Sequence, residues 1–220
     1  MGEPKIVIAG TGRAGTTLLV QVLTDLGFDT GYSPGVQIHR DARAGLERNI
    51  LDPLAPRVVK SPKLSTELGP LLESGAVTVE HVLIPVRDLD IAAASRVRAS
   101  GYGRSLNAPG GMLWGTKRAS RQRAAVAEML AQLVVTLARY DVAHSFLLFP
   151  RFATDAGYLH DKLFVIAPDL RVDDVQRVLD DRYRPEYVHE APLDRNEALR
   201  TKLNAPVAFA KRVQAHVRRK

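Results

Sequence analysis

The first fold-determining feature of this chain is a strand, a glycine-rich turn and a helix in immediate succession near its start. The β-branched run at residues 5–9 predicts a strand, and the turn that follows holds Gly10, Gly12 and Gly15. Apolar residues then recur with helical spacing over 18–26. In such a unit the backbone N–H groups of the turn and of the first helical turn point at one place. The sequence therefore predicts a site for a phosphate-like anion.

Strands and helices alternate along the rest of the chain. Further strands are predicted at residues 57–60, 81–86 and 145–150. Helices are predicted at residues 62–72, 89–100, 117–140, 155–166, 172–179 and 196–217. This alternation predicts a single α/β domain over residues 1–220, in three layers, with a parallel sheet flanked by helices. Ligands of such a sheet bind beyond the carboxyl ends of its strands.

Composition and charge narrow the class of partner. The net charge of +7 favours anionic partners in general, but no nucleic-acid-binding motif accompanies it, so we expect no nucleic-acid partner. No apolar run approaches the roughly 20 residues that span a bilayer, and the chain begins with a strand rather than an apolar leader. We therefore expect a cytoplasmic protein without a membrane partner. Because the chain has no cysteine, it forms neither disulfides nor thiolate metal sites.

The glycine turn has the spacing of a nucleotide-triphosphate loop without its lysine. Gly10 and Gly15 match G-x-x-x-x-G, but Thr16 stands where that loop needs a lysine for the β- and γ-phosphates. The nearest cation, Arg13, lies inside the turn. This difference disfavours an ordinary triphosphate site.

Two further candidates follow predicted strands. Arg87 ends the third strand, and Ser95 stands eight residues later on the next helix, for which Asp88 is the predicted N-cap. At about 100° per residue, this spacing brings Ser95 near the face on which the helix starts, so both residues can face one pocket. A guanidinium and a hydroxyl suit a phosphate monoester. Lys60 ends the second strand, beside the turn.

These segments resemble the sulfotransferases that use 3′-phosphoadenosine 5′-phosphosulfate (PAPS). The family's donor loop, Pro-Lys-Ser-Gly-Thr-Thr or a bacterial Arg-Ser-Gly-Thr variant, is similar to residues 12–17, with Ala14 in place of the serine. Its 3′-phosphate motif is similar to residues 87–96, with Leu89 in place of a proline, and its Lys-Ser-Pro segment is similar to residues 60–62. The resemblance covers roughly residues 5 to 165. No C-terminal G-x-x-G-x-x-K segment is recognised.

The resemblance implies a P-loop NTPase-like (sulfotransferase) fold and transfer of a sulfuryl group from PAPS to a hydroxyl or amine. The acceptor is expected to be a small molecule or a carbohydrate, and no metal is expected. Arg13 is implied to stabilise the leaving phosphate oxygen, and Lys60 to balance charge on the sulfuryl group. The implied donor-binding residues are Gly12, Arg13, Ala14, Gly15, Thr16, Thr17, Arg87 and Ser95.

Several alternatives stay open at this point. Glu47 is the preferred general base, because its segment precedes the second strand and lies near the turn, and His39 is the alternative. Trp114 is a candidate either for stacking on adenine or for a buried anchor. A small-molecule kinase or NTPase, with Asp88 as its Mg²⁺ ligand, and a non-catalytic binding module are the competing functions. The long helix at 117–140 packs either within the chain or against a second copy in a homodimer.

Overall fold

The computed structural model describes residues 3–38, 45–102, 116, 118–185 and 188. Within them, four strands form one sheet in the order β2-β1-β3-β4, and every neighbouring pair is parallel. The strands are β1 (Lys5–Ile8), β2 (Val58–Lys60), β3 (Val79–Val86) and β4 (His144–Leu148). The predicted α/β fold with a parallel sheet flanked by helices is therefore confirmed.

The helices follow the predicted pattern, with shifted ends. They are α1 (Thr16–Asp25), α2 (Leu64–Glu73), α3 (Leu89–Tyr102), α4 (Gln122–Arg139), α5 (Arg151–Thr154), α6 (Ala156–Leu163) and α7 (Val172–Arg182). A 3₁₀ turn at Ala119–Arg121 precedes α4. The predicted helix at 155–166 is shorter at both ends. Asp155 is its N-cap and accepts a hydrogen bond from the Tyr158 amide, and the helix ends at Leu163. The helix predicted at 196–217 lies outside the described residues.

Alternate residues of the strands pack into two separate cores. Ile6, Ile8 and Leu83 face one core, which α1, α5, α6 and α7 complete. Val7, Val82 and neighbouring strand residues face the other core, against Leu64 and Leu68 of α2 and Leu133 and Leu137 of α4. The sheet thus has helices on both faces, as a parallel sheet requires. Among the described helices, none has the length and apolarity needed to cross a bilayer.

The strand order places a ligand crevice at one end of the sheet. The chain passes from β1 to β2 on one side and then returns to β3 on the other side of β1. In sheets of this order, the carboxyl ends of β1 and β3 diverge into connections on opposite faces and leave a crevice between them. The glycine turn follows β1 and Arg87 follows β3. Lys60 pairs in register with Ile8, so it lies level with the end of β1 on the other side.

Candidate functional site

The turn between β1 and α1, here called the glycine loop (residues 10–15), has a backbone that depends on glycine. Gly15 is the N-cap of α1 with φ of 83°, in the left-handed region, and no side chain caps the helix there. A Cβ on Gly15 would also lie 2.6 Å from Cδ2 of Phe149 and 2.8 Å from Cζ of Phe152. The aromatic segment after β4 therefore packs directly against the loop. Because no side chain caps α1, the N–H groups of its first turn are able to bind an anion.

Two helices bond the glycine loop at two separate points. Ser65 of α2 is buried, and its Oγ accepts from the Gly10 amide over 2.9 Å and donates to the Gly10 carbonyl over 2.7 Å. Further along the loop, Arg13 Nε donates to Ser95 Oγ of α3 over 3.1 Å. These bonds hold the loop in one conformation without a ligand, which reduces the conformational entropy that the loop loses when a ligand binds.

Arg87, Ser95 and Arg13, predicted from two separate motifs, form one cluster. Nη1 of Arg87 donates to the Arg13 carbonyl over 3.4 Å, and its guanidinium carbon lies 5.0 Å from the centroid of the Phe149 ring. The Ser95 hydroxyl, which is buried, accepts from Arg13. Arg87 and Ser95 both line the same cavity, as their spacing predicted, and Arg13 joins them there.

That cavity has a volume of about 700 Å³. It begins at Gly15 and the arginine cluster, passes Leu18 and Gln21 of α1, and ends at residues 181–184, which close α7. Arg182 fixes this far wall: its Nη2 donates to Oδ1 of Asp25 over 2.8 Å, and its Nε bonds the other carboxylate oxygen. The Arg182 hydrogen bonds hold the pKa of Asp25 below its usual range.

The remaining predicted residues of the donor loop occupy the first turn of α1 and its entry. Ala14, the residue at which the loop departs from the sulfotransferase motif described above, is fully buried. Thr16 and Thr17 are also buried, and Gly12 lies against the guanidinium of Arg96. All six predicted loop positions, from 12 to 17, thus belong to one continuous segment at the helix N-terminus.

Lys60 and Glu47 lie together on the other flank of α1. The Lys60 ammonium is 4% exposed and donates to the Gly45 carbonyl over 2.8 Å, to Glu47 Oε1 over 3.3 Å and to Thr17 Oγ1 over 3.4 Å. Burial lowers the pKa of Lys60, the Glu47 carboxylate opposes that shift, and the charge of Arg13 adds to it. Neither Lys60 nor Glu47 is among the described residues that line the cavity. His39 and Trp114 lie outside the described residues.

Arg96 is a residue of this site that the sequence interpretation did not assign. It is 2% exposed, its Nη2 donates to the Thr11 carbonyl, and among the described residues its Nη1 has no hydrogen-bond partner. Burial, and then the charge of Arg13, lowers its pKa to about 10. The three alanines before Ser95, at residues 92–94, are buried as well, but no local pattern marks Arg96 itself as buried.

Four cationic side chains lie around the glycine loop. Arg13, Arg87, Arg96 and Lys60 contact the loop or α1, and Lys60 also contacts the carboxylate of Glu47. The Asp88 carboxylate accepts from the Ile91 amide over 2.9 Å and caps α3, which confirms its predicted role as N-cap. No cluster of three histidine, aspartate or glutamate side chains suited to a metal occurs within the described ranges.

This arrangement suits a particular chemistry. Backbone N–H groups at the start of α1 and planar guanidinium groups bind the oxygens of phosphate or sulfate esters and stabilise negative charge that develops on them. A cavity that continues from the loop leaves space for the organic part of such an ester. Searches against protein-family models, curated proteins and solved structures found no match to the chain.

Proposed function

We propose that this chain is a sulfotransferase that moves a sulfuryl group from PAPS to a hydroxyl or amine of a small-molecule or carbohydrate acceptor, with a P-loop NTPase-like fold. The observation that carries the proposal is the cluster of Arg13, Arg87 and Ser95 beside a glycine loop that is followed by Thr16 rather than by lysine. Such a loop binds a phosphate ester through backbone N–H groups and arginine instead of through a lysine.

In this proposal the two phosphate groups of the donor bind at two different arginines of the cluster. The N–H groups at the start of α1 hold the 5′-phosphate, and Arg13, oriented by its bond to Ser95, stabilises the oxygen between phosphorus and sulfur. Arg87, at the end of β3, holds the 3′-phosphate. The Arg87 guanidinium lies over the Phe149 ring in a cation–π contact, which restricts the orientation of the guanidinium.

The transfer itself is an in-line displacement at sulfur. The acceptor oxygen or nitrogen forms a bond to sulfur, and the bond from sulfur to the bridging oxygen breaks with its electron pair moving onto the 5′-phosphate. The proton of the acceptor passes to a general base, for which we propose Glu47, with His39 as the alternative. The products are the sulfated acceptor and adenosine 3′,5′-bisphosphate.

The position of Lys60 supports the roles proposed for the donor loop and for Glu47. Its ammonium contacts Thr17, on the first turn of α1, and Glu47 at the same time. In this proposal the Lys60 charge acts on the sulfuryl oxygens across the first turn of α1, since the Lys60 side chain does not line the cavity. The same contact holds the Glu47 carboxylate near the donor loop, although half of the Glu47 side chain is exposed.

A P-loop kinase or NTPase acting on a small molecule is the alternative. Its Mg²⁺ needs a carboxylate ligand near the phosphates, and the candidate from the sequence is Asp88. The Asp88 carboxylate is engaged by the Ile91 amide as the cap of α3, which supports the sulfotransferase over the kinase.

Product analysis tests the proposal. The protein is incubated with PAPS and a panel of alcohols, phenols, amines and sugars without added metal, and separately with ATP–Mg²⁺ and the same panel. We expect acceptor-dependent release of adenosine 3′,5′-bisphosphate, which Arg13→Ala reduces and Arg177→Ala does not. Arg177 is the control because it is an exposed arginine on α7. Release of ADP from ATP–Mg²⁺, with no reaction of PAPS, would establish the kinase alternative.

A further inference from the structure

Arg96 is buried directly behind the glycine loop, and the proposed transfer does not use it. Its Nη2 donates to the Thr11 carbonyl and lies 3.7 Å from Sδ of Met129 on α4. Within the described part of the chain, no carboxylate pairs with this guanidinium, and Nη1 has no hydrogen-bond partner. Both facts are unusual, because buried charges in proteins are normally paired and buried polar atoms normally bonded.

The hydrogen bond from Arg96 to the Thr11 carbonyl determines the direction in which the Gly12 N–H points. A trans peptide is planar, so its C=O and N–H point in opposite directions. Because the Thr11 carbonyl is turned toward Arg96, the Gly12 N–H of the same peptide points away from it. Gly12 has a φ of 67°, in the left-handed region that favours glycine, and a Cβ added there would be in ordinary van der Waals contact with Arg96 Nη2, at 3.7 Å. Arg96 thus orients a backbone donor of the loop.

The charge of Arg96 is unfavourable where it stands. Burial removes the guanidinium from water, and within the described ranges the charge that acts on it is that of Arg13, which is also positive. Such a group lowers the stability of the fold unless a negative charge lies nearby. Residues that cost stability in this way are characteristic of binding sites.

We propose that Arg96 is a positioning residue whose buried charge is balanced by the anion that binds the glycine loop. It turns the Thr11–Gly12 peptide so that the Gly12 N–H faces the anion, and it adds positive potential behind the loop. The inference rests on the proposed function only for the identity of the anion, taken there as the 5′-phosphate of the donor. Any phosphate ester of high charge at the loop meets the same requirement.

Arg96→Met tests this role, because it removes the charge while keeping an unbranched apolar chain beside Met129. Calorimetric titrations with adenosine 3′,5′-bisphosphate and with pyrophosphate are compared among the wild type, Arg96→Met, Arg96→Lys and the exposed control Arg177→Met. The midpoint of thermal unfolding is measured for each protein without added anion. We expect Arg96→Met to bind both anions at least about 10-fold more weakly, with an unfolding midpoint equal to or above that of the wild type. Arg96→Lys is expected to recover most of the affinity.

The outcomes separate this inference from the proposed function. Unchanged anion affinity in Arg96→Met, or a variant that fails to fold, would show a purely structural arginine and overturn the inference. If the wild type binds pyrophosphate but not the bisphosphate, the proposed donor is wrong, while a loss of pyrophosphate affinity in Arg96→Met still supports the role of Arg96. Binding of neither anion by the wild type overturns both.

Discussion

Arg13 donates a hydrogen bond to Ser95 over 3.1 Å, although 82 residues separate them in the chain. The bond exists because β1 and β3 are parallel neighbours, so the segments that follow them emerge at the same edge of the sheet. It joins the glycine loop to the helix that carries the second motif. The two segments predicted as subsites therefore lie side by side and share a hydrogen bond, so we expect a change in either segment to affect the other.

Arg13→Ala tests the role of the loop arginine. The variant loses the guanidinium that we propose to stabilise charge on the leaving oxygen, so we expect kcat to fall by about 10²-fold or more. Steady-state release of adenosine 3′,5′-bisphosphate measures it, with Arg177→Ala as the exposed control. An unchanged kcat in Arg13→Ala would exclude Arg13 from the transition state.

Gly15→Ala tests the packing beneath the loop. The substitution places a Cβ within 2.8 Å of both Phe149 and Phe152 at a residue with φ of 83°, so strain and overpacking combine. We expect the free energy of unfolding in urea to fall by about 2–4 kcal/mol.

Gly27→Ala is the matched control for that substitution. Gly27 has a similar φ of 88°, but nothing lies within 4 Å of its added Cβ, so backbone strain alone applies. We expect it to cost about 1 kcal/mol. An equal decrease in the free energy of unfolding for the two variants would mean that crowding against Phe149 and Phe152 does not destabilise Gly15→Ala.

Asp25→Asn tests the ion pair that fixes the far wall of the cavity. The pKa of Asp25 is lowered in the folded protein, mainly by the Arg182 hydrogen bonds. The pair therefore contributes stability above the unfolded aspartate pKa of about 3.9, and this contribution is lost as the pH falls through the lower folded pKa. At pH 7 we expect Asp25→Asn to reduce the free energy of unfolding by about 2 kcal/mol, and the difference from the wild type to shrink below pH 4.

The exposed pair of Asp174 and Arg177 provides the comparison for that measurement. Asp174→Asn is expected to change the free energy of unfolding by less than about 0.5 kcal/mol, because exposed pairs are solvated and screened. If the difference in the free energy of unfolding between Asp25→Asn and the wild type stays constant from pH 7 to pH 3, the stabilisation does not come from the charge of Asp25.

Glu47→Gln tests the proposed general base. The amide keeps the shape of the side chain but accepts no proton, so kcat should fall by about 10²- to 10⁴-fold while the affinity for adenosine 3′,5′-bisphosphate stays close to that of the wild type. Turnover with a hydroxyl acceptor and a calorimetric titration give the two values. Full activity in Glu47→Gln would exclude Glu47, and the same loss in His39→Gln would then identify the alternative base.

Local patterns predicted much of this fold, because each signal acts over a few residues. The β-branched run at residues 5–9 fixed a buried strand, and Asp88 was identified as a helix cap from its place before an apolar helix. The spacing of Arg87 and Ser95 placed both in one cavity, since helical periodicity is a local property.

Contacts that depend on the order of strands could not be predicted in this way. The bond from Arg13 to Ser95 and the bonds from Ser65 to Gly10 need β2 and β3 as the two neighbours of β1, because the helices that carry Ser65 and Ser95 follow those strands. Arg96 could not be distinguished from a solvated arginine, because its burial results from how closely α3 and α4 approach the loop. Lys60 and Glu47 were each expected near the glycine loop, but neither their contact with each other nor their place outside the cavity lining follows from a local pattern.

The difference in affinity between adenosine 3′,5′-bisphosphate and AMP, measured by calorimetry on the wild type and on Arg87→Ala, tests the central claim most directly. The two ligands differ only by the 3′-phosphate that we assign to Arg87. We predict micromolar binding of the bisphosphate to the wild type without metal, at least about 10-fold tighter than AMP, and loss of this preference in Arg87→Ala. Equal affinity for the two ligands in the wild type, or a preference for ATP–Mg²⁺, would contradict the account.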